Sequence, residues 1–175
     1  MTVSHIPQID YDTASDAIRA AHDEEVQVRG RMTNMKRTLL HSPTAHRIYA
    51  EWFTLREELR PVLDNRAIWL LSHAISEAMK SPIAMGFFRR AFANSGADFH
   101  SLVPTEDEQR LIDFGRAIVA NSNAVPAEIW DGLKARYDNA ALVNLVAFAG
   151  IMVATALFNN VVEVEFDREL APFMD

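Results

Sequence analysis

The chain has 175 residues, 49% of them hydrophobic and 23% charged, with no cysteine and a formal net charge of −7. That length and balance give a single globular domain, residues 1–175, able to bury a core of its own without disulfide or metal staples. The acidic charge argues against nucleic acid or an anionic membrane as partner, and the missing thiols exclude disulfides, thiolate metal sites and cysteine-based redox or nucleophilic chemistry.

In chain order, residues 1–12 (MTVSHIPQIDYD) lack the basic and apolar regions of a signal peptide and read as an N-terminal arm, so a cytoplasmic protein is expected. Asp12 or Thr13 is expected to cap a first helix running to about Arg29, with Ala14, Ala17, Ile18, Ala21 and Val28 on one apolar face. After a turn at Gly30, Met32, Met35, Leu39 and Leu40 support a short helix that stops near His41. Ser42-Pro43 opens the next, with Pro where a missing N–H costs nothing, and this helix is expected to continue to about Leu59, before Pro61. Asp64 caps another, and Ser81-Pro82 starts the one after it. Thr105-x-x-Glu108 is a capping box for a helix to about Ala120, and Pro126 opens AEIWDGLKARY. Asp138 begins the last long helix, to about Asn160. Its apolar character on nearly every side (LVAFAGIMVATALF) predicts a place at the centre of the bundle. Its apolar run from Leu145 to Phe158 is too short for a comfortable membrane span. The tail VVEVEFD alternates apolar and acidic residues, as a short extended piece would. The expected class is all-α, about seven or eight helices around a central apolar helix.

The segments TNMKRTLLHSP, LRPVLDNRAIWLL, the Ser81-Pro82 helix start leading to Arg89-Arg90, and LIDFGRAIVANSNAVPAEIWDGLKARYDNAALVNLVAFAGIMVATALFNN resemble the carboxymuconolactone decarboxylase-like family. That family shares its fold with alkylhydroperoxidase D, and the resemblance spans about Asp16 to Asp167. It implies an AhpD-like helical bundle and a homo-oligomer. In the peroxidase branch the working motif is Glu, eleven residues, then Cys-x-x-Cys-x-x-x-His. Aligned through Ser81-Pro82 and Arg89-Arg90, those positions hold Trp69, Ser81, Ala84 and Phe88. All four are replaced, and the histidine of the decarboxylase branch also meets Phe88. The resemblance therefore implies fold and assembly, while neither inherited reaction is carried by matching residues.

On the helix from Leu63 to Met79, Leu63, Ala67, Ile68, Leu71 and Ile75 belong to one broad apolar side. The other side carries Arg66, Trp69, Ser72, His73, Ser76, Glu77 and Lys80. The plain reading is a solvated face. Trp69 in its midst speaks for a pocket or a partner copy instead, because leaving such a ring wet costs about 2–3 kcal/mol. In a pocket, His73 and Glu77 would be the catalytic pair, with Glu77 orienting the imidazole as a general base and Arg66 binding a substrate carboxylate. The alternative is an ordinary i,i+4 ion pair. Ser81, Phe88 and His100 complete the candidate pocket residues, although N-cap duty already explains Ser81. Two ligand types one turn apart do not make a metal site, and neither metal nor cofactor is expected. The expected function is a carboxymuconolactone decarboxylase-like protein that acts on or binds a small anionic or lactone-like molecule. The alternative is a catalytically inactive binding or structural member of the AhpD-like superfamily. The expected partners are further copies of the chain and a small-molecule ligand, not nucleic acid or membrane.

Overall fold

Local start and stop signals set most of the helix boundaries in the computed structural model, which describes residues 4–174. Helix α1 (Asp16–Arg29) begins at Ser15, whose side chain accepts from the Ile18 N–H, and ends at Gly30 with φ of 76°. The start falls later than Asp12 or Thr13 because Asp10 forms a turn of its own, accepting from the Asp12 N–H at 3.1 Å. Thr33 caps α2 (Asn34–Leu39), and Ser42 caps α3 (Pro43–Ala50). The helix expected over residues 43–59 is divided. The Glu51 N–H bonds three residues back to Ile48 at 3.2 Å, and α4 (Trp52–Leu59) starts beyond it without a side-chain cap. That break makes nine α-helices among the described residues, rather than seven or eight.

Asp64 caps α5 (Asn65–Ala78), and α6 (Pro82–Asn94) follows. The capping box at Thr105 and Glu108 is complete at the start of α7 (Glu106–Asn121). Helix α8 (Ala127–Lys134) leads to α9 (Asn139–Val162), which Asp138 caps. Two short 3₁₀ turns, Phe99–Ser101 and Arg168–Phe173, complete the regular structure, and no strand occurs among the described residues. The tail is only in part a separate piece. Its first two residues finish α9, and the chain then runs through residues 164–167 into the second 3₁₀ turn, which packs on α6.

The central helix is α5, not α9. Nine of its fourteen residues are buried, and it packs against α6, α7 and α9. Its apparent polar side misleads because two of the serines satisfy themselves: Ser72 donates to the Ile68 carbonyl and Ser76 to the Ser72 carbonyl, both at 2.7 Å. A hydroxyl paired within its own helix can enter the core without stranding a donor. Helix α9 buries Leu145, Phe148, Ala149, Met152 and Ala156 but leaves Val143, Val146, Leu157 and Val161 exposed. At 24 residues it is also longer than its apolar run suggested, and by length and composition alone it is long enough to cross a bilayer. Its packing against α4, α5 and α6 is that of a helix in a bundle core.

Helices α5 and α7 meet closely at Gly115. A Cβ there would stand 3.1 Å from both Leu71 Cδ1 and Ile75 Cγ1, and 3.2 Å from the Leu71 carbonyl oxygen. Gly115→Val is expected to lower the unfolding free energy by about 1–3 kcal/mol through overpacking, measured by urea denaturation. Unchanged stability would mean that the two helices do not approach to this distance.

Candidate functional site

Residues 28–36 together with α4, α6 and α9 wall a cavity of about 610 Å³. Trp52 and Phe53 of α4 lie with ring centroids 3.9 Å apart, and Phe87 and Phe88 of α6 meet edge-on at 5.3 Å. Met152, Thr155 and Asn159 reach the cavity from one face of α9, as their i, i+3, i+7 spacing requires. A second chamber of about 330 Å³ shares Trp52, Phe53, Arg56, Phe87, Phe88 and Arg90 with the first and adds Trp69. The entry to α6 is fixed by backbone bonds. Lys80 takes φ of 53°, its N–H bonds to Glu77, and the Ser81 N–H bonds to Ser76, both at 2.9 Å. That turn leaves the Ser81 side chain without a capping bond, contrary to the N-cap role expected of it, and its Oγ is buried without a partner.

Five cationic side chains, Arg29, Arg31, Lys36, Arg56 and Arg90, line the first cavity against two carboxylates, Glu57 and Asp167. This local excess is opposite in sign to the charge of the whole chain. Each cation lies over a ring: Arg29 at 4.4 Å and Lys36 at 5.2 Å from the Phe53 centroid, Arg31 at 5.4 Å and Arg90 at 5.5 Å from Phe87, and Arg56 at 5.6 Å from Trp52. Glu25, only 2% exposed, holds one side of this array. It pairs with Lys36 and with Arg29 (3.1 Å), and His46 Nε2 stands 3.4 Å away without the alignment of a hydrogen bond. Burial pulls the Lys36 ammonium below its ordinary range although Glu25 opposes the change, and burial likewise lowers His46, which is neutral at pH 7. On the other side Glu169 accepts from both Arg31 and Arg90, the latter at 2.7 Å. Burial raises Asp167, which accepts from the Asn34 N–H at 2.9 Å.

The residues singled out from the sequence are distributed differently. His73 is 4% exposed, its ring lies 4.2 Å from that of Phe99, and it lines neither chamber. Burial, and then the Arg89 guanidinium, lower its pKa to about 4. Glu77 points away to Arg116, at 2.8 Å. Arg66 is held by Glu108 at 2.6 and 3.3 Å and by the Val103 carbonyl at 3.0 Å. Burial raises Glu108, but Arg66 and the Thr105 N–H outweigh it and the carboxyl lies below its ordinary range. His100 is exposed on the first 3₁₀ turn. Trp69 sits edge-on to Phe92 at 5.3 Å and lines the second chamber, while Phe88 lines both. Four of the five cations belong to short basic clusters of the sequence, Arg29-Gly30-Arg31, Lys36-Arg37 and Arg89-Arg90, and Arg56 stands apart from them. What the sequence did not display is that one member or more of each cluster turns onto the same cavity.

No family model matches the chain, and no curated protein matches it. Solved structures do. A cysteine-to-alanine variant of the debrominase Bmp8, in complex with 2,3,4-tribromopyrrole, superposes with a TM-score of 0.78 at 14% identity, over 100% of this chain and 97% of that one. Bmp8 without ligand gives 0.75 at 15% identity, over 100% and 98%. An uncharacterized peroxidase-related protein with an alkylhydroperoxidase AhpD core, from Ralstonia eutropha JMP134, gives 0.64 at 14% identity, over 97% and 95%. At this level of identity the likeness is one of fold, and the chain has the AhpD-like helical fold.

The buried imidazole makes stability depend on pH. In the unfolded chain His73 takes up its proton near pH 6.5, in the folded chain only near pH 4. The stability carried by neutral His73 is therefore complete above about pH 6.5 and is lost as the pH falls toward about pH 4. Between about pH 7.5 and about pH 5, His73→Phe should lose roughly 2 kcal/mol less stability than the parent, measured by urea denaturation. Parallel pH profiles for the two proteins would contradict a buried neutral His73.

Proposed function

We propose that this AhpD-fold protein binds a small planar organic anion in the cavity between α4, α6 and α9, without thiol chemistry. The observation that carries the reading is the wall itself, aromatic rings overlain by five cations in a protein of net negative charge. Rings accept a flat ligand face, and guanidinium groups favour carboxylates through charge-assisted, often bidentate hydrogen bonds. A lactone-type acid of the kind implied by the family resemblance falls within this class. The planar tribromopyrrole bound by Bmp8 supports a ring-sized ligand in this fold. The reading holds whether or not the anion is chemically changed.

Self-association is a second part of the proposal. Val143, Val146, Ala147, Gly150, Leu157 and Val161 form one exposed stripe at helical spacing, and a Cβ at Gly150 would meet nothing within 4 Å. A two-fold axis would lay this stripe against its own copy, since a self-complementary patch is what such an interface requires.

Benzoate is expected to bind saturably and to perturb Trp52 fluorescence, with added salt weakening the binding. Arg56→Gln should weaken it about tenfold, and neutral benzamide should bind less well than benzoate. No saturable binding, or equal binding of acid and amide, would overturn the anion reading. Light scattering should give a multiple of the chain mass that Val146→Glu with Leu157→Glu reduces. A monomeric parent protein, or one that sediments with lipid vesicles, would remove the stripe from self-association.

A further inference from the structure

The inner end of the first cavity is polar and incompletely paired. Asn159, 4% exposed, reaches it from α9 with Oδ1 buried and lacking a partner, and Thr155 Oγ1, one turn earlier on the same face, is in the same condition. Across from them Ser76 already donates its proton to the Ser72 carbonyl, so only its acceptor lone pairs remain for the cavity. The other residues that α9 buries are apolar, and the neighbouring Asn160 is satisfied by donating to the Met79 carbonyl at 2.8 Å, yet Asn159 and Thr155 stand unpaired where the helix faces this space. Buried polar atoms are normally paired, because an unmade hydrogen bond costs as much as the group's desolvation. Unpaired acceptors lining a ligand-sized cavity are explained most directly by a donor that arrives with the ligand.

We infer that Asn159 and Thr155 read a hydrogen-bond donor on the edge of the ligand opposite its charge, so that the preferred ligand is a hydroxyaryl or N–H heteroaryl carboxylate. The inference rests on the anion-binding reading and narrows it. The cations Arg31, Arg56 and Arg90, more exposed than Asn159, hold the carboxylate. The ring lies between Phe53 and Phe87, and its hydroxyl or ring N–H donates to Asn159 Oδ1. Thr155 Oγ1 accepts from the same group or donates to its oxygen. A ligand without that group leaves two buried atoms unpaired. This is the situation in which a binding site discriminates most strongly, because the penalty falls on the wrong ligand.

Calorimetric titration of benzoate, 3-hydroxybenzoate and 4-hydroxybenzoate against the parent protein, Asn159→Leu and Thr155→Val tests this. At least one hydroxybenzoate should bind the parent about tenfold more tightly than benzoate. The advantage, read as the ratio of hydroxybenzoate to benzoate affinity within each protein, should vanish in Asn159→Leu and shrink in Thr155→Val. Thr155→Val removes a hydroxyl that makes no hydrogen bond, so it should melt no lower than the parent and remains informative if Asn159→Leu fails to fold. A hydroxyl that confers no advantage, or an advantage that survives in both variants, overturns the inference and leaves anion binding standing. Failure of all three acids to bind the parent overturns the anion reading and this inference with it.

Discussion

The buried Glu25 carboxylate is the constraint on which the cavity wall depends. Lys36 and Arg29 both turn inward over the Phe53 ring, and Glu25 is the buried charge between them. Removing one partner of such a cluster leaves uncompensated charge in the interior, at a cost of roughly 3–5 kcal/mol, whereas the intact cluster contributes little net stability. Its value is positional. Glu25 engages these two cations from the α1 side, leaving their positive charge directed over the cavity rings. Glu169 does the same for Arg31 and Arg90 from the tail. Two carboxylates, Glu25 buried and Glu169 exposed, thus anchor the cationic wall from two sides, and the proposed anion would add to this arrangement without having to build it.

The helices fall into place around α5 for reasons that explain the location of the site. Ser72 and Ser76 bond within the helix, which allows α5 to be buried on several sides and to carry α6, α7 and α9 at once. Gly115 lets α7 close upon it. The turn at Lys80 then sets where α6 begins, and that register directs Ala84, Phe87 and Phe88 to the cavity and Phe92 into the core. One additional residue in the turn would rotate α6 by about 100° and remove the aromatic wall.

How much of this was legible depended on the range of the interaction. Ser42-Pro43, Asp64, the Thr105/Glu108 box and Asp138 act on backbone within a few residues, and the structure uses each as written. The all-helical class follows from the same signals. The partners of α5 do not: Arg66 meets Glu108, forty-two positions away, and Glu77 meets Arg116, thirty-nine away. Helical spacing sets His73 and Glu77 one turn apart, yet spacing does not say which helix will supply the counter-charge. The α9 sequence carried a different ambiguity. Apolar residues on all sides fit a central helix and equally fit a helix with one face in the core and one face open, and only the neighbours' packing separates the two.

The four positions that the family resemblance aligns with the peroxidase motif stand at or near the two chambers. Ala84 and Phe88 line the first cavity, Phe88 and Trp69 line the second, and Ser81 sits at the turn that starts α6. A thiol pair with a proton relay requires small reactive groups open to a co-reactant. Alanine, phenylalanine and tryptophan in the same places supply shape and π-faces, and neither accepts electrons from a substrate nor relays a proton to one. With these side chains the region suits the proposed retention of a flat molecule, to which the surrounding arginines would add a preference for negative charge. The wall around Ala84 and Phe88 is accordingly made of rings and cations rather than thiols.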